Sequence, residues 1–227
     1  MRSVLTTLLA LFAFLPVAAQ QQQPQHRAAR EAAPFVNINA GLIRSVVRFS
    51  AVPTEWAPQE FINEADGRLT CTAFSINGKQ GYYVTAYHCI EHAESDMRLK
   101  EGDDVSVVKV DKENDLALLQ SPAHRPSLRW RAFPAERGTA VWAAGYAFGQ
   151  PDFYVTSAPV SHTWDSPFAG TPPGYVFYGN FIGGMSGGPI VDDHLRVVSI
   201  VQHGGVPGRA AQDIGGGPGF ITLYQFT

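Results

Sequence analysis

The stretch Gly183–Val201, GGMSGGPIVDDHLRVVSIV, begins as a glycine-rich turn and runs into a short apolar segment at Pro189–Val191. A polar Asp-Asp-His corner follows, then a second apolar segment, Val197–Gln202. Runs this short, rich in Val and Ile and bounded by Gly, Pro and Asp, predict strands rather than helices. The same texture extends outward from it. Leu42–Phe49, Leu69–Ile76, Gly81–Tyr87, Val105–Val110, Leu116–Leu119, Ala140–Tyr146, Tyr154–Val160 and Tyr175–Tyr178 lie upstream, and Phe220–Phe226 lies downstream. Many short runs without a sustained 3.6-residue period predict an all-β fold, either one sandwich or a pair of barrels. Only Ala86–Ala93 has helical character, and it is short.

Composition narrows the class. At 45% apolar and 16% charged residues over 227 positions, the chain has enough apolar surface to build a core, which excludes a disordered polymer. Glycine and proline show no fixed period, which excludes a collagen-like chain. A net charge of −3 gives no basic patch of the kind that binds nucleic acid, so no nucleic-acid partner is expected. Two cysteines cannot staple a fold of this size, so the core itself must hold it. Residues 1–19 combine Arg2, the apolar run Val4–Leu15 and a small-residue end, Pro16–Ala19. The run is shorter than the ~20 apolar residues needed to span a bilayer, so it predicts a cleaved export leader and no lasting membrane anchor. The expected location is secreted or periplasmic. Residues 20–34, Gln-rich and polar, read as a spacer or pro-segment.

Three segments carry chemistry: Tyr83–Cys89 (YVTAYHC), Asn114–Leu119 (NDLALL) and Gly183–Pro189 (GGMSGGP). Singly, each has a plain reading as a strand end, a turn or a tight loop. Together they present His88, Asp115 and Ser186 in that order. A serine hydroxyl needs a neighbouring base to take its proton as it attacks. An imidazole, titrating near ~pH 6.5, can take that proton and later return it to a leaving amine. A carboxylate orients the imidazole and stabilises its charged form. The backbone N–H groups of Gly184 and Ser186 are the expected oxyanion hole, which must be preorganised toward the charge that develops on the carbonyl oxygen. Two other readings fall away. His88 and His92 have H-x-x-x-H spacing, but no Glu follows the first His as a zinc peptidase requires. GMSGG also fits the nucleophile elbow of α/β-hydrolases, but there the histidine follows the serine and the serine opens a helix, which Gly187-Gly188-Pro189 does not favour. No metal and no cofactor is expected.

These segments resemble the chymotrypsin-type (trypsin-like) serine proteases, in the compact bacterial form of the HtrA-type and glutamyl endopeptidases. The resemblance runs from about Leu69 to Thr222. It includes GYAFGQPDFYVTSAPVS at Gly145–Ser161, SGGPIVDDHLRVVSIV at Ser186–Val201 and GPGFITL at Gly217–Leu223. It implies two packed six-stranded antiparallel β-barrels, residues 35–128 and 129–227, with the active site in the cleft between them. It implies a serine endopeptidase acting on polypeptides, and it favours Asp115 over Asp103, Asp104 and Asp111 because Asp115 directly precedes the Leu-Ala-Leu-Leu strand. A bridge between Cys71 and Cys89 is expected, as in the family's common first-barrel disulfide and as suits an exported pair. By resemblance the pocket for the residue before the scissile bond has Asn180 at its floor with Phe181 beside it. Gln202, His203 and Gly204 form one wall and Gly219 the other. No acid stands at the floor, so an uncharged residue is expected there. Met185 replaces the Asp that in animal digestive enzymes receives a freed N-terminus, so that activation switch is expected to be absent. With Thr227 close behind the final strand, no PDZ module is expected. The competing expectation is a catalytically silent, protease-like binding module.

Overall fold

The computed structural model describes residues 37–100, 102–164, 174–177, 179–204 and 219–222, all within the unit Val36–Thr227. The expected leader (1–19) and spacer (20–34) lie outside the described residues, as does the end of the run expected over Phe220–Phe226. The first element is a helix, α1, over residues 37–45. The strand expected from Leu42 therefore starts later, as β1 at Val46–Pro53. Ile38 and Leu42 stand one helical turn apart and are both buried, which is the i, i+4 pattern that a strand reading of Leu42–Phe49 overlooks.

Two β-sheets follow. The first contains β1, β2 (Leu69–Asn77), β3 (Tyr82–Ala86), β4 (Ala93–Leu99), β5 (Asp103–Asp104), β6 (Ser106–Asp111) and β7 (Leu116–Gln120), in the order β5-β4-β1-β2-β3-β7-β6. A five-residue helix, α2 (Tyr87–Glu91), continues directly from β3. The second contains β8 (Arg129–Trp130), β9 (Ala140–Gly145), β10 (Tyr154–Trp164), β11 (Gly174–Phe177), β12 (Pro189–Val191), β13 (Arg196–Ile200), β14 (His203–Gly204) and β15 (Gly219–Thr222). Its order is β14-β15-β11-β10-β9-β12-β13-β8, antiparallel except where β13 meets β8.

Both sheets curl as half-barrels, giving the chymotrypsin-like double-barrel fold. The curl has local causes. β1 pairs with β2 on one edge and with β4 on the other through register shifts at Ser50–Pro53, and β10 pairs with β9 along one half and β11 along the other. Bulges of this kind bend a strand and increase its twist. Among the described residues the sheets contain seven and eight strands, where six each were expected. The additions are short or polar pieces such as β4, AESDMRL, which is exposed along most of its length and is defined by pairing rather than by apolar alternation.

Each sheet has its own apolar core. A further cluster joins Ile38, Leu42, Val46, Phe74 and Val84 to Trp142, Val191, Val197 and Ile200, and so ties α1 and the first sheet to the second. Burying a side chain of this size contributes roughly 1.5–3 kcal/mol, so this cluster holds the two sheets in fixed relation.

Candidate active site

His88 and Asp115 are brought together by strand register. β3 and β7 are adjacent and antiparallel, with Ala86 opposite Leu116. The residues just beyond those ends, on the C-terminal side of β3 and the N-terminal side of β7, must then face each other. The ladder continues one step further, with the Tyr87 N–H donating to the Asp115 carbonyl at 3.0 Å. Asp115 adopts a left-handed backbone (φ 51°), which turns its carboxylate back onto the start of α2. There it accepts two hydrogen bonds from one residue: the His88 backbone N–H reaches Oδ1 at 2.8 Å, and ring Nδ1 lies 2.8 Å from Oδ2. With Nδ1 donating to the carboxylate, Nε2 is the ring nitrogen suited to accept a proton. The side chains are only 12% and 14% exposed, so little water screens the pair.

Phe61, in a single 3₁₀ turn at Gln59–Phe61, stacks on the His88 ring with centroids 5.3 Å apart. Cys89 follows His88 and is bridged to Cys71 of β2, 18 residues earlier. The disulfide expected from the sequence is thus present, and it pins the histidine's turn to the sheet. Cys71, His88 and Cys89 also cluster closely enough to suggest a metal site, but both sulfurs are consumed in the bridge and provide no thiolate.

Ser186 sits in a pair of consecutive tight turns. Met185 N–H returns to the Ile182 carbonyl at 3.1 Å, and Gly188 N–H returns to the Met185 carbonyl at 2.8 Å. The third residue of each turn is a glycine with positive φ, Gly184 at 89° and Gly187 at 82°, as a type II turn requires. A Cβ on Gly187 would collide with the Thr72 carbonyl and the Thr85 hydroxyl. The carbonyl of Gly183 accepts the Phe148 N–H at 2.6 Å, so in that trans peptide the Gly184 N–H points the opposite way. The Ser186 carbonyl accepts the Thr72 N–H at 2.8 Å and lies 3.9 Å from Cys89 Sγ. The Ser186 turn therefore meets the Cys71–Cys89 bridge directly. Met185 is fully buried in the core of the second sheet.

The remaining predicted residues divide. Asn180 is exposed, whereas Phe181 is buried against Phe177 in the second core. Gln202 Nε2 donates to the carbonyls of Asn114 at 2.5 Å and Asp115 at 3.2 Å, bracing the Asp115 loop from the other sheet. Gly204 pairs with Gly219 across β14 and β15, and His203 precedes Gly204 on the same strand. Phe61 was not found from sequence because it stands in no patterned segment, and the bonds of the Gln202 amide to the Asp115 loop were not found because they join distant parts of the chain.

The hairpin behind Ser186 is closed by Asp192, whose carboxylate accepts the N–H groups of His194 and Arg196 and the Arg196 guanidinium at 2.7–3.0 Å. Burial works to raise the Asp192 pKa, but the Arg196 bonds and the two backbone donors outweigh it and hold the carboxyl below its usual range.

Among solved structures, the Rv3671c protease of M. tuberculosis in its active form is similar, with 23% identity and a TM-score of 0.64 over 95% of this chain and 89% of that one. The HtrA-type protease AlgW with a tripeptide is also similar, with 19% identity and a TM-score of 0.65 over 83% of this chain and 59% of that one. At these identities the likeness speaks for the fold alone. No curated protein is similar by sequence at a significant level. Residues 71–200, more than half of the chain, match the trypsin-like peptidase domain. The chain therefore belongs to the trypsin-like peptidase family, and it is a chymotrypsin-like serine protease.

Proposed function

We propose that the protein is an exported serine endopeptidase in which Ser186 is the nucleophile, His88 the general base and acid, and Asp115 the group that orients His88. The observation that carries this reading is the grip of one carboxylate on both the ring Nδ1 and the backbone N–H of His88. Ser186 Oγ attacks the scissile carbonyl carbon while its proton passes to His88 Nε2. The carbonyl oxygen becomes an anion facing the N–H groups of Gly184 and Ser186. Collapse breaks the C–N bond, the amine leaves with the proton from the imidazolium, and an ester remains on Ser186. Water, deprotonated by the same imidazole, then releases the acid and restores the hydroxyl.

The polypeptide class of the substrate follows from the family. The preference for an uncharged residue before the scissile bond, and the roles of Asn180, Phe181, His203, Gly204 and Gly219 in selecting it, belong to this proposal. So does export: residues 1–19 would direct it, with residues 20–34 as spacer or pro-segment. The buried Met185 supports a hole whose turn is anchored by apolar packing rather than by an ion pair.

The test is labelling with a peptidyl phosphonate, which reacts only with an activated serine. Labelling at Ser186 that His88→Ala abolishes is expected. A folded, unlabelled wild-type chain would sink the proposal in favour of a silent binding module. Ser186→Ala is expected to lower kcat on the order of 10⁶-fold.

A further inference from the structure

Thr72, one residue after Cys71 in β2, has no exposed surface and belongs to none of the segments that carry the chemistry. Its hydrogen bonds nevertheless converge on them. Its N–H donates to the Ser186 carbonyl at 2.8 Å, and its carbonyl accepts the Thr85 hydroxyl at 2.8 Å. Its own hydroxyl donates to the Gly184 carbonyl at 2.8 Å and accepts the Tyr146 N–H at 3.0 Å. A threonine hydroxyl has one proton, and that proton is committed to Gly184.

The consequence for Gly184 is specific. The carbonyls on either side of its α-carbon are both tied down, that of Gly183 by the Phe148 N–H and that of Gly184 by the Thr72 hydroxyl. A glycine at φ 89° has no side chain to restrict it, so the bond at Gly183 sets the peptide that carries its N–H and the bond from Thr72 fixes the peptide that follows, toward Ser186. The Tyr146 N–H held by the same hydroxyl joins the Gly145–Gly149 turn, and hence Phe148, to the same point. One oxygen from the first sheet thus anchors both sides of the Gly184 turn.

We propose that Thr72 is the positioning residue of the oxyanion hole: its buried hydroxyl, bridging the Tyr146 N–H and the Gly184 carbonyl, aims the N–H groups of Gly184 and Ser186. This rests on the reading of Ser186 as nucleophile given above. Thr72 touches no reacting atom and acts through the turn that it holds. A valine at this position would match the shape and remove only the hydroxyl, whereas a serine would keep the hydroxyl and remove only the methyl.

The experiment compares wild type, Thr72→Val and Thr72→Ser as the full chain, in peptide hydrolysis and in binding of a peptide boronic acid, whose tetrahedral anion occupies the hole. Thr72→Val is expected to lower kcat about 10²-fold at nearly constant KM, the scale of a misaimed catalytic group. Boronate affinity should fall in parallel, and Thr72→Ser should restore both. A merely structural role would reduce the folded fraction without changing boronate affinity per folded molecule. Wild-type kcat and boronate affinity in Thr72→Val would overturn the inference, as would equal impairment of the Val and Ser variants. Should Thr72→Val fail to fold, Thr72→Ala against Thr72→Ser, with rates per labelled serine, makes the same comparison. A wild type that neither hydrolyses peptides nor takes the phosphonate label overturns the reading of Ser186 and this inference with it. An active, labelled wild type matched by Thr72→Val overturns the inference alone.

Discussion

The two sheets hold their parts of the site by different means. On the first sheet, His88 is fixed by a covalent bridge beside it, a paired strand on either side of its turn and a carboxylate bound at both its ring and its backbone. On the second, Ser186 has no covalent brace. It is held by two glycine turns, a buried methionine and hydrogen bonds from β2 across the interface. The difference follows from what each group must do. The imidazole needs one orientation relative to one acid, which strand register and a disulfide can enforce. On the proposed reading, the Ser186 loop must also present backbone N–H groups to an incoming anion, and left-handed glycine turns expose them without side chains in the way.

This contrast can be broken at either end. The largest effect is expected from Asp115→Asn, which keeps the shape but favours the wrong imidazole tautomer. A loss on the order of 10⁴-fold in kcat is expected, with folding intact by circular dichroism. A loss of less than tenfold would mean that the carboxylate does not set the tautomer. Next is Gly187→Ala on the nucleophile side. Forcing a Cβ into positive φ and against the Thr72 carbonyl should destabilise by about 3 kcal/mol in urea unfolding. Unchanged stability would show that the turn is softer than its geometry implies.

Removing the disulfide, as Cys71→Ala with Cys89→Ala, opens an 18-residue loop and should cost about 3 kcal/mol. On the reading above, the residual activity of the folded fraction should stay close to wild type, because the Asp115 bonds still orient His88. The smallest effect is at Asp192, which holds the hairpin behind Ser186. Its folded pKa is depressed, so its contribution is present above the unfolded value of ~3.9 and is lost as pH falls through the lower folded value. Melting temperatures of wild type and Asp192→Asn should differ at pH 6, and the difference should shrink progressively as pH falls below about 4. A difference that does not shrink on acidification would remove the carboxylate's charge as its cause.

Several features could be read without coordinates because their signals are local. The short Val-rich runs bounded by glycine and proline announce strands, and GGMSGGP announces a tight glycine-rich turn. Where the local signal is ambiguous or absent, the structure departs from the sequence pattern. α1 was missed because Ile38 and Leu42 also sit beside a β-branched run, and β4 because its polar residues become a strand only by pairing with β1. The resemblance places Gln202 in a pocket wall, and nothing in its local sequence tells that its amide also reaches the carbonyls of Asn114 and Asp115.

The amino-acid sequence by itself determined the chemical repertoire, an imidazole, a carboxylate and an alcohol with glycines beside the alcohol, and the β-rich class of the fold. Tertiary structure alone decided how those groups are held. The Ala86–Leu116 register sets His88 against Asp115, and Thr72, Phe61 and Gln202 reach the site from segments that carry no motif. The physical reason is range. Strand and turn preferences act over a few neighbouring residues, whereas a hydrogen bond such as that from Thr72 to Gly184 joins positions 112 residues apart and exists only once both sheets have closed on a shared core.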